Sequence, residues 1–195
     1  MRSRYKIHNE NGIFFVTSTI VNWLPVFVNE KYFDIMINTM KHYQQKNNLL
    51  IYAYVFMENH FHMIISHEDV SKIMQSAKKY SAKEIIKNLR LDKNEIILKT
   101  FRDSKPEYKI TSRHQVWQES FHPQEITSYE MLKQKIEYIH YNPVRKKLVS
   151  KSEDWKFSSA VDYYTDRKGL LDIIRLICAV QTPRSPSPDW ERSRN

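Results

Sequence analysis

The chain has 195 residues and a net charge of +9, with only two glycines and one cysteine. So few glycines exclude a glycine-rich phosphate loop or a dinucleotide fingerprint, and the lone Cys178 excludes an internal disulfide framework and a Cys-rich zinc site. No apolar run approaches the roughly 18 residues of a membrane helix, so we expect a cytoplasmic protein without a membrane partner. The excess of Lys and Arg, interspersed with 12 Tyr, 9 Phe and 4 Trp, favours nucleic acid as a partner.

Hydrophobic spacing predicts strands and helices in the first ninety residues. The stretch from Ile13 to Val21 is rich in Phe, Val, Thr and Ile, which is typical of a strand. From Glu30 the apolar positions recur at helical spacing, and Asp69 is placed to cap a second helix. The predicted order is a strand at 13–21, a helix at 30–46, a strand at 50–57, a strand at 60–66 and a helix at about 70–90.

The helix predicted at 70–90 has a basic exposed face. Its polar positions include Lys79, Lys83 and Lys87, and almost all the charges there have the same sign. A charged helix face often serves only to solvate the helix, but charges of one sign favour a polyanionic partner. We therefore predict that these lysines bind nucleic acid.

The segment between this helix and residue 127 is the least regular part of the sequence. Ile96 to Phe101 fits either a short strand or the end of a helix. Two short extended pieces are predicted at 115–118 and 121–126.

The last third of the chain is predicted to be helical. A helix at 128–141 is expected to end at Asn142-Pro143, because the residue before a proline is driven out of the helical region. A final helix is predicted at 169–180. The Pro-, Ser- and Arg-rich segment 181–195 has no periodicity and is predicted to be a disordered tail.

The order of these elements predicts one α+β domain over residues 1–180. Strand, helix, strand, strand, helix and a further extended piece is the order of a ferredoxin-like sandwich, in which an antiparallel sheet has helices on one face. The helix at 128–141 is then an addition, packed against the sheet near the strand at 60–66. The helix at 169–180 is a C-terminal extension.

Two histidines stand at the start of the strand at 60–66. Glu58-Asn59 is a polar corner between two apolar runs, as in a tight turn between paired strands. Successive side chains of a strand point to alternate faces, so His60 and His62 point the same way. Two imidazoles placed in this way can bind one divalent ion, although two surface histidines beside a turn would give the same pattern.

The helix at 128–141 offers a nucleophile and a further ligand. Tyr138 and Asn142 are four residues apart, so they share a helix face that is separate from the core stripe. A phenol can attack a phosphodiester, and an amide oxygen is a suitable ligand for magnesium or manganese. The alternative is a half-buried tyrosine and an asparagine that only ends the helix.

Four motifs together resemble one known family. They resemble the REP-associated tyrosine transposases, a branch of the single-tyrosine HUH transposases, and they stand in that family's order within residues 5–175. The motifs are Phe56-Met57-Glu58-Asn59-His60-Phe61-His62-Met63-Ile64-Ile65, Trp117-Gln118-Glu119-Ser120-Phe121-His122, Glu137-Tyr138-Ile139-His140-Tyr141-Asn142-Pro143-Val144-Arg145-Lys146-Lys147-Leu148-Val149 and Trp155-Lys156-Phe157-Ser158-Ser159. Glu58 departs from the family, in which many members have proline at this place.

The resemblance implies an enzyme that cleaves single-stranded DNA near a hairpin with a divalent metal, Mg or Mn. By position, Tyr138 is the nucleophile that forms a 5′-phosphotyrosine, and His60 and His62 are metal ligands. Asn142 is the third ligand, where related transposases have glutamine. The family includes monomers and homodimers, and it implies a bacterial, nucleoid-associated location.

Other interpretations remain open at this point. Arg145, Lys146 and Lys147 form a basic cluster that either binds phosphates or is only a solvated loop. Tyr141 and Tyr129 are rival nucleophiles, and His140 and His122 are expected to contact DNA or water. Two alternative functions also remain. The chain is either a non-catalytic nucleic-acid-binding protein derived from such an enzyme, or a hydrolase of small phosphoesters.

Overall fold

The computed structural model describes residues 12–108, 112–119 and 121–175. Across these residues the chain forms an α+β fold with four strands and five α-helices. In chain order they are β1 (Ile13–Thr19), α1 (Glu30–Asn47), β2 (Leu50–Phe56), β3 (His60–Ser66), α2 (Val70–Leu91), α3 (Glu95–Asp103), β4 (Gln124–Glu125), α4 (Tyr129–Arg145) and α5 (Ala160–Tyr164). Short 3₁₀ turns lie at Val21–Trp23 and Ser152–Asp154.

The four strands form one antiparallel sheet in the order β2-β3-β1-β4. The hairpin of β2 and β3 turns at the predicted Glu58-Asn59 corner, and β3 lies in the middle between β2 and β1. The register places His62 beside Thr17 of β1 and Val55 of β2. A central strand has neighbours on both edges, so the position of its side chains is closely defined.

The two faces of the sheet carry different helices. Alternate residues such as Phe61 and Met63 belong to the core that also contains the apolar stripes of α1 and α2. The other face, with Val55 and Ile64, packs against Leu132 and neighbouring residues of α4. Because the strands alternate with period two, one sheet supports both a large core and, on the opposite face, the helix that carries Tyr138.

The strands and the first two helices lie close to their predicted bounds. The ambiguous stretch Ile96 to Phe101 is helical and belongs to α3. The reason is a local cap, since the side chain of Asn94 accepts a hydrogen bond from the backbone N–H of Ile97 at 3.2 Å. The extended piece predicted at 121–126 contains β4, which pairs with β1.

The prediction that Asn142-Pro143 ends the tyrosine-bearing helix is wrong. The helix continues to Arg145, with Asn142 and Pro143 both buried. Proline removes only one backbone donor, and the carbonyls of Asn142 and Pro143 accept from the N–H groups of Lys146 and Leu148. Tertiary packing therefore outweighs the preference of the pre-proline residue for extended backbone.

The prediction of a helix at 169–180 is wrong for residues 169–175, which are not helical. Their backbone donors are used in contacts with the rest of the fold. The N–H of Gly169 donates to Asp162 Oδ1 at 2.8 Å, that of Leu170 to Tyr54 Oη at 3.1 Å, and that of Ile174 to the carbonyl of Ile51 at 2.8 Å. Residues 176–180 and the predicted tail at 181–195 lie outside the described residues.

In the part of the chain that the structure describes, none of the helices is long and apolar enough to cross a membrane.

Candidate active site

His60 and His62 lie side by side on the α4 side of the sheet. Their ring centroids are 4.9 Å apart, and the residues are only 7% and 6% exposed. The Phe15 ring of β1 stacks on His62 at 5.5 Å. The alternation of β3 thus gives the shared face that the sequence predicts, but the pair is buried rather than at the surface.

The Nδ1 atoms of both histidines are engaged by neighbouring side chains. His60 Nδ1 donates to Asn59 Oδ1 at 2.7 Å, and Asn59 Nδ2 donates to the carbonyl of Trp23 at 2.9 Å, which fixes the orientation of the amide. His62 Nδ1 is 2.7 Å from Thr17 Oγ1. A partner at Nδ1 holds an imidazole ring in place and directs Nε2 outward as the ligand atom.

The structure brings Tyr138 to this pair. Its Oη lies 3.5 Å from His62 Nε2, and its ring meets Phe15 edge to face with the centroids 6.0 Å apart. The guanidinium carbon of Arg145 is 5.3 Å from the centre of the Tyr138 ring. The phenol oxygen and a histidine nitrogen therefore face the same space, with a cation beside them.

Asn142 lies one helical turn beyond Tyr138 and is 1% exposed. Neither its amide oxygen nor its amide nitrogen has a hydrogen-bond partner among the described residues. A buried polar group without a partner costs about 1–3 kcal/mol and calls for an explanation. An amide oxygen left unpaired on the tyrosine face fits a role as a ligand for an ion or a phosphate-bound water.

Three His, Cys, Asp or Glu side chains do not converge anywhere in the described residues. Among the described residues, a divalent ion at the histidine pair would need a third ligand of another kind. The unpaired amide of Asn142, on the same helix face as Tyr138, is a side chain of that kind. An amide oxygen is a hard ligand that suits Mn²⁺ and Mg²⁺, whereas imidazole nitrogens are ligands typical of transition metals.

Burial and nearby cations keep the site histidines neutral. Burial, with the charges of Lys146 and Arg145, lowers the pKa of His60 from 6.5 to about 4. Burial, with the charges of His60, Arg145 and Lys135, lowers the pKa of His62 to about 3. Neutral imidazoles are the form that binds metal.

A third histidine anchors α4 to the sheet. His140 is 1% exposed, with Nε2 2.9 Å from Ser159 Oγ and Nδ1 3.2 Å from Tyr164 Oη. Ser159 Oγ also accepts from the N–H of Tyr54 in β2 at 2.9 Å. The expectation that His140 contacts DNA or water is therefore wrong, and the residue instead fixes α4 two positions away from Tyr138.

Because burial lowers the pKa values of His60, His62 and His140, we expect the fold to lose stability in acid. Burial also lowers the pKa of His140 to about 3. Below pH 6.5 these histidines bind protons in the unfolded chain but stay neutral in the folded chain. Each histidine therefore lowers the free energy of unfolding by about 1.4 kcal/mol per pH unit down to about pH 4. Urea unfolding at pH 7.5, 6.0 and 5.0 should show this fall, and a free energy of unfolding that stays constant from pH 7.5 to 5.0 would contradict it.

The predicted nucleic-acid-binding cations fall into two groups. Arg145, Lys146 and Lys147 are exposed at the end of α4, and Arg145 and Lys146 lie on the side of the histidines. The lysines of α2, on the other hand, are exposed on the outer side of a helix that packs against the opposite face of the sheet. These lysines are Lys79, Lys83 and Lys87. The structure does not bring the two groups together.

Two side chains near the site were given no functional role by the sequence, although the helical spacing places Lys135 on or near the face of Tyr138. Lys135, one turn before Tyr138, lies 4.6 Å from the centre of the Phe15 ring, and burial lowers its pKa. Trp23 meets the His60 ring edge to face at 5.9 Å. Its position depends on the Val21–Trp23 turn, and an Asn-Trp pair in a connecting segment carries no pattern from which that turn could be predicted.

No family model matches the sequence, and no curated protein matches it. Among solved structures, the one described as the REP-associated tyrosine transposase bound to a REP hairpin matches with a TM-score of 0.62. The two proteins share a fold. The match covers 95% of this chain and 100% of the transposase chain, at 18% sequence identity. The resemblance to REP-associated tyrosine transposases that the motifs indicate is thus confirmed at the level of the fold.

Proposed function

We propose that this protein is a metal-dependent single-stranded DNA endonuclease and strand transferase that cleaves beside a hairpin. The observation that carries the proposal is the position of Tyr138 Oη, 3.5 Å from His62 Nε2 in a pair of neutral, buried histidines. The antiparallel sheet in the order β2-β3-β1-β4 fits the ferredoxin-like sandwich expected for such an enzyme.

The proposed reaction is a transesterification at phosphorus. The oxygen of Tyr138 forms a bond to the scissile phosphorus, and the bond from phosphorus to the 3′ oxygen breaks. The phenol proton is balanced by the proton that the departing 3′-hydroxyl gains, and the product is a 5′-phosphotyrosine. Attack by another strand's 3′-hydroxyl reverses the step, so no nucleotide cofactor is needed.

A divalent ion, Mg or Mn, would be held by His60, His62 and Asn142. When bound, it supplies Lewis-acid stabilisation of the negative charge on the phosphate. The chain's own contribution is the orientation of the ligands. Asn59 and Thr17 hold the two Nδ1 atoms, and the unpaired amide of Asn142 lies on the Tyr138 face.

The proposed partner is single-stranded DNA with a hairpin, bound by a monomer or a homodimer in the bacterial nucleoid. The structurally similar transposase is bound to a REP hairpin. In this chain the cluster Arg145, Lys146 and Lys147 would bind the phosphates next to the cleaved bond. The α2 lysines lie on another surface and would bind a more distant part of the same DNA.

Charge removal at the two groups of cations should have different effects. Either all three α2 lysines or all three α4 cations are replaced by glutamine. Each replacement should reduce the slope of log affinity against log salt concentration by up to about 2, because each phosphate contact in single strands contributes about 0.7 to that slope. Only the α4 variant should also slow cleavage at saturating DNA. Fluorescence anisotropy at salt concentrations from about 50 to about 300 mM measures the first effect. Single-turnover cleavage measures the second. If one of the two triple variants has the same salt dependence as the wild type, the three cations replaced in that variant do not contact DNA.

The function is tested on a denaturing gel with labelled single-stranded hairpin DNA, taken from repeats that flank the protein's own gene, and Mn²⁺. Label placed on the 3′ side of the cleavage site should migrate slowly with the protein, and label on the 5′ side should appear as a shorter free strand. Salt-dependent binding without cleavage, across several flanking sequences and with either metal, would instead identify a non-catalytic DNA-binding protein.

A further inference from the structure

Trp23 is an exposed aromatic residue placed at the edge of the candidate active site. The residue is 59% exposed, although the nearby Val21 and Val26 are buried in the core. Its ring centroid is 5.9 Å from that of His60. A large apolar surface is thus held in solvent directly beside a proposed metal ligand.

The backbone that presents Trp23 has an unusual conformation. Asn22 and Trp23 both lie in the left-handed region, with φ of 54° and 55°. Non-glycine residues are strained there, and such strain persists where surrounding contacts impose it, often at functional sites.

Three hydrogen bonds hold this conformation. The N–H of Trp23 donates to the carbonyl of Ile20 at 3.0 Å, and Asn22 Nδ2 donates to Ser104 Oγ at 2.9 Å. Asn59 donates to the carbonyl of Trp23 while it accepts from His60. Asn59 therefore links the turn that exposes the Trp23 indole to His60, the proposed metal ligand beside it.

The charges around Trp23 favour a nucleic acid over an apolar partner. The guanidinium carbon of Arg145 lies 5.3 Å from the centre of the Tyr138 ring, whose Oη is 3.5 Å from His62 Nε2. Lys135 Nζ lies 4.6 Å from the centre of the Phe15 ring, which stacks on His62. These cations therefore lie on the same side of the sheet as the histidine pair that Trp23 borders. An indole beside clustered cations is the combination that binds single strands, in which bases stack on aromatic rings and cations contact the backbone.

We propose that Trp23 is the stacking platform for an unpaired base next to the cleaved phosphate. The inference rests on the proposed single-stranded DNA substrate and adds a subsite to it. A base stacked on the indole would fix the position of the adjoining phosphate over His60 and Tyr138. Because every base has an aromatic face, the platform holds the strand without selecting its sequence.

The test uses binding without chemistry, in a Tyr138→Phe background. Fluorescence anisotropy of labelled hairpin DNA is measured for Trp23→Ala, for Trp23→Phe and for Ile96→Ala, a control at a residue that is 82% exposed on α3. The same DNA is also prepared with one abasic position at a time on each side of the hairpin. Trp23→Ala should weaken binding roughly tenfold, Trp23→Phe less, and Ile96→Ala not at all.

The abasic series identifies the base. One position should weaken binding to the Trp23-containing protein about tenfold and have little further effect on Trp23→Ala, because both changes remove the same contact. Equal losses in both proteins at every position would overturn the inference. So would Trp23→Ala binding that equals the control, or a change of oligomeric state in Trp23→Ala, which would identify a contact between copies.

The adduct assay separates this inference from the proposed function. A wild-type protein that forms the covalent adduct, together with unaltered binding by Trp23→Ala, would overturn the platform and leave the enzyme. Coupling between Trp23 and one abasic position without any adduct would support the platform and overturn the catalytic function.

Discussion

Replacing Tyr138 by phenylalanine should abolish the covalent DNA adduct and lower cleavage by at least about 1,000-fold, because the variant has no nucleophile to replace the phenol. Binding of the uncleaved hairpin should be almost unchanged. The ring keeps its edge-to-face contacts with Phe15 and His62, and loses only the hydroxyl that faces Nε2. Single-turnover cleavage and anisotropy on the same DNA measure the two effects.

Tyr141→Phe is the matched control. It removes the same atom from the same helix, three residues further along, and should leave the adduct in place. An adduct that survives Tyr138→Phe but disappears in Tyr141→Phe would move the nucleophile to Tyr141. Loss in both variants would indicate that the helix, and not one hydroxyl, is required.

Replacing Asn142 by leucine should separate stability from activity. The change removes two buried amide atoms that have no partner in the described structure, so the free energy of unfolding should rise by about 1 kcal/mol or stay the same. Metal affinity should fall by at least about tenfold, which is the lower end of what loss of a supporting group costs at metal sites, and cleavage should fall with it. Urea unfolding and calorimetric titration with Mn²⁺ measure these quantities.

Ser18→Ala is the matched control for Asn142→Leu. Ser18 Oγ is also buried without a partner, but it belongs to β1 and points to the face opposite Thr17 and the site. The alanine variant should be as stable as the wild type or more so, with unchanged Mn²⁺ affinity. A loss of stability in Asn142→Leu combined with normal Mn²⁺ binding would show that the amide has a structural role only.

The parts of the site that the sequence predicts are those that depend on local geometry. His60 and His62 share a face because any strand alternates with period two, and Tyr138 and Asn142 share a face because they are one helical turn apart. The motifs added the association between the two elements. None of these steps requires knowledge of how distant segments pair.

The parts that the sequence missed depend on contacts between distant segments. Thr17 meets His62 because of the register of β1 against β3, and His140 is buried because Ser159 and Tyr164 pack over it. Pro143 remains within α4 because the helix is held by its buried face. Each of these depends on tertiary packing, which outweighs local preference.

The most direct measurement of the central claim is peptide mapping of the trapped adduct by mass spectrometry. Wild-type protein is incubated with a hairpin oligonucleotide and Mn²⁺, digested with protease and nuclease, and searched for a peptide carrying a nucleotide phosphate. The account predicts that the modification lies on the peptide containing Glu137-Tyr138-Ile139, with its fragments placing the phosphate on Tyr138. A phosphate on any other residue, or cleaved DNA with no modified peptide, would contradict it.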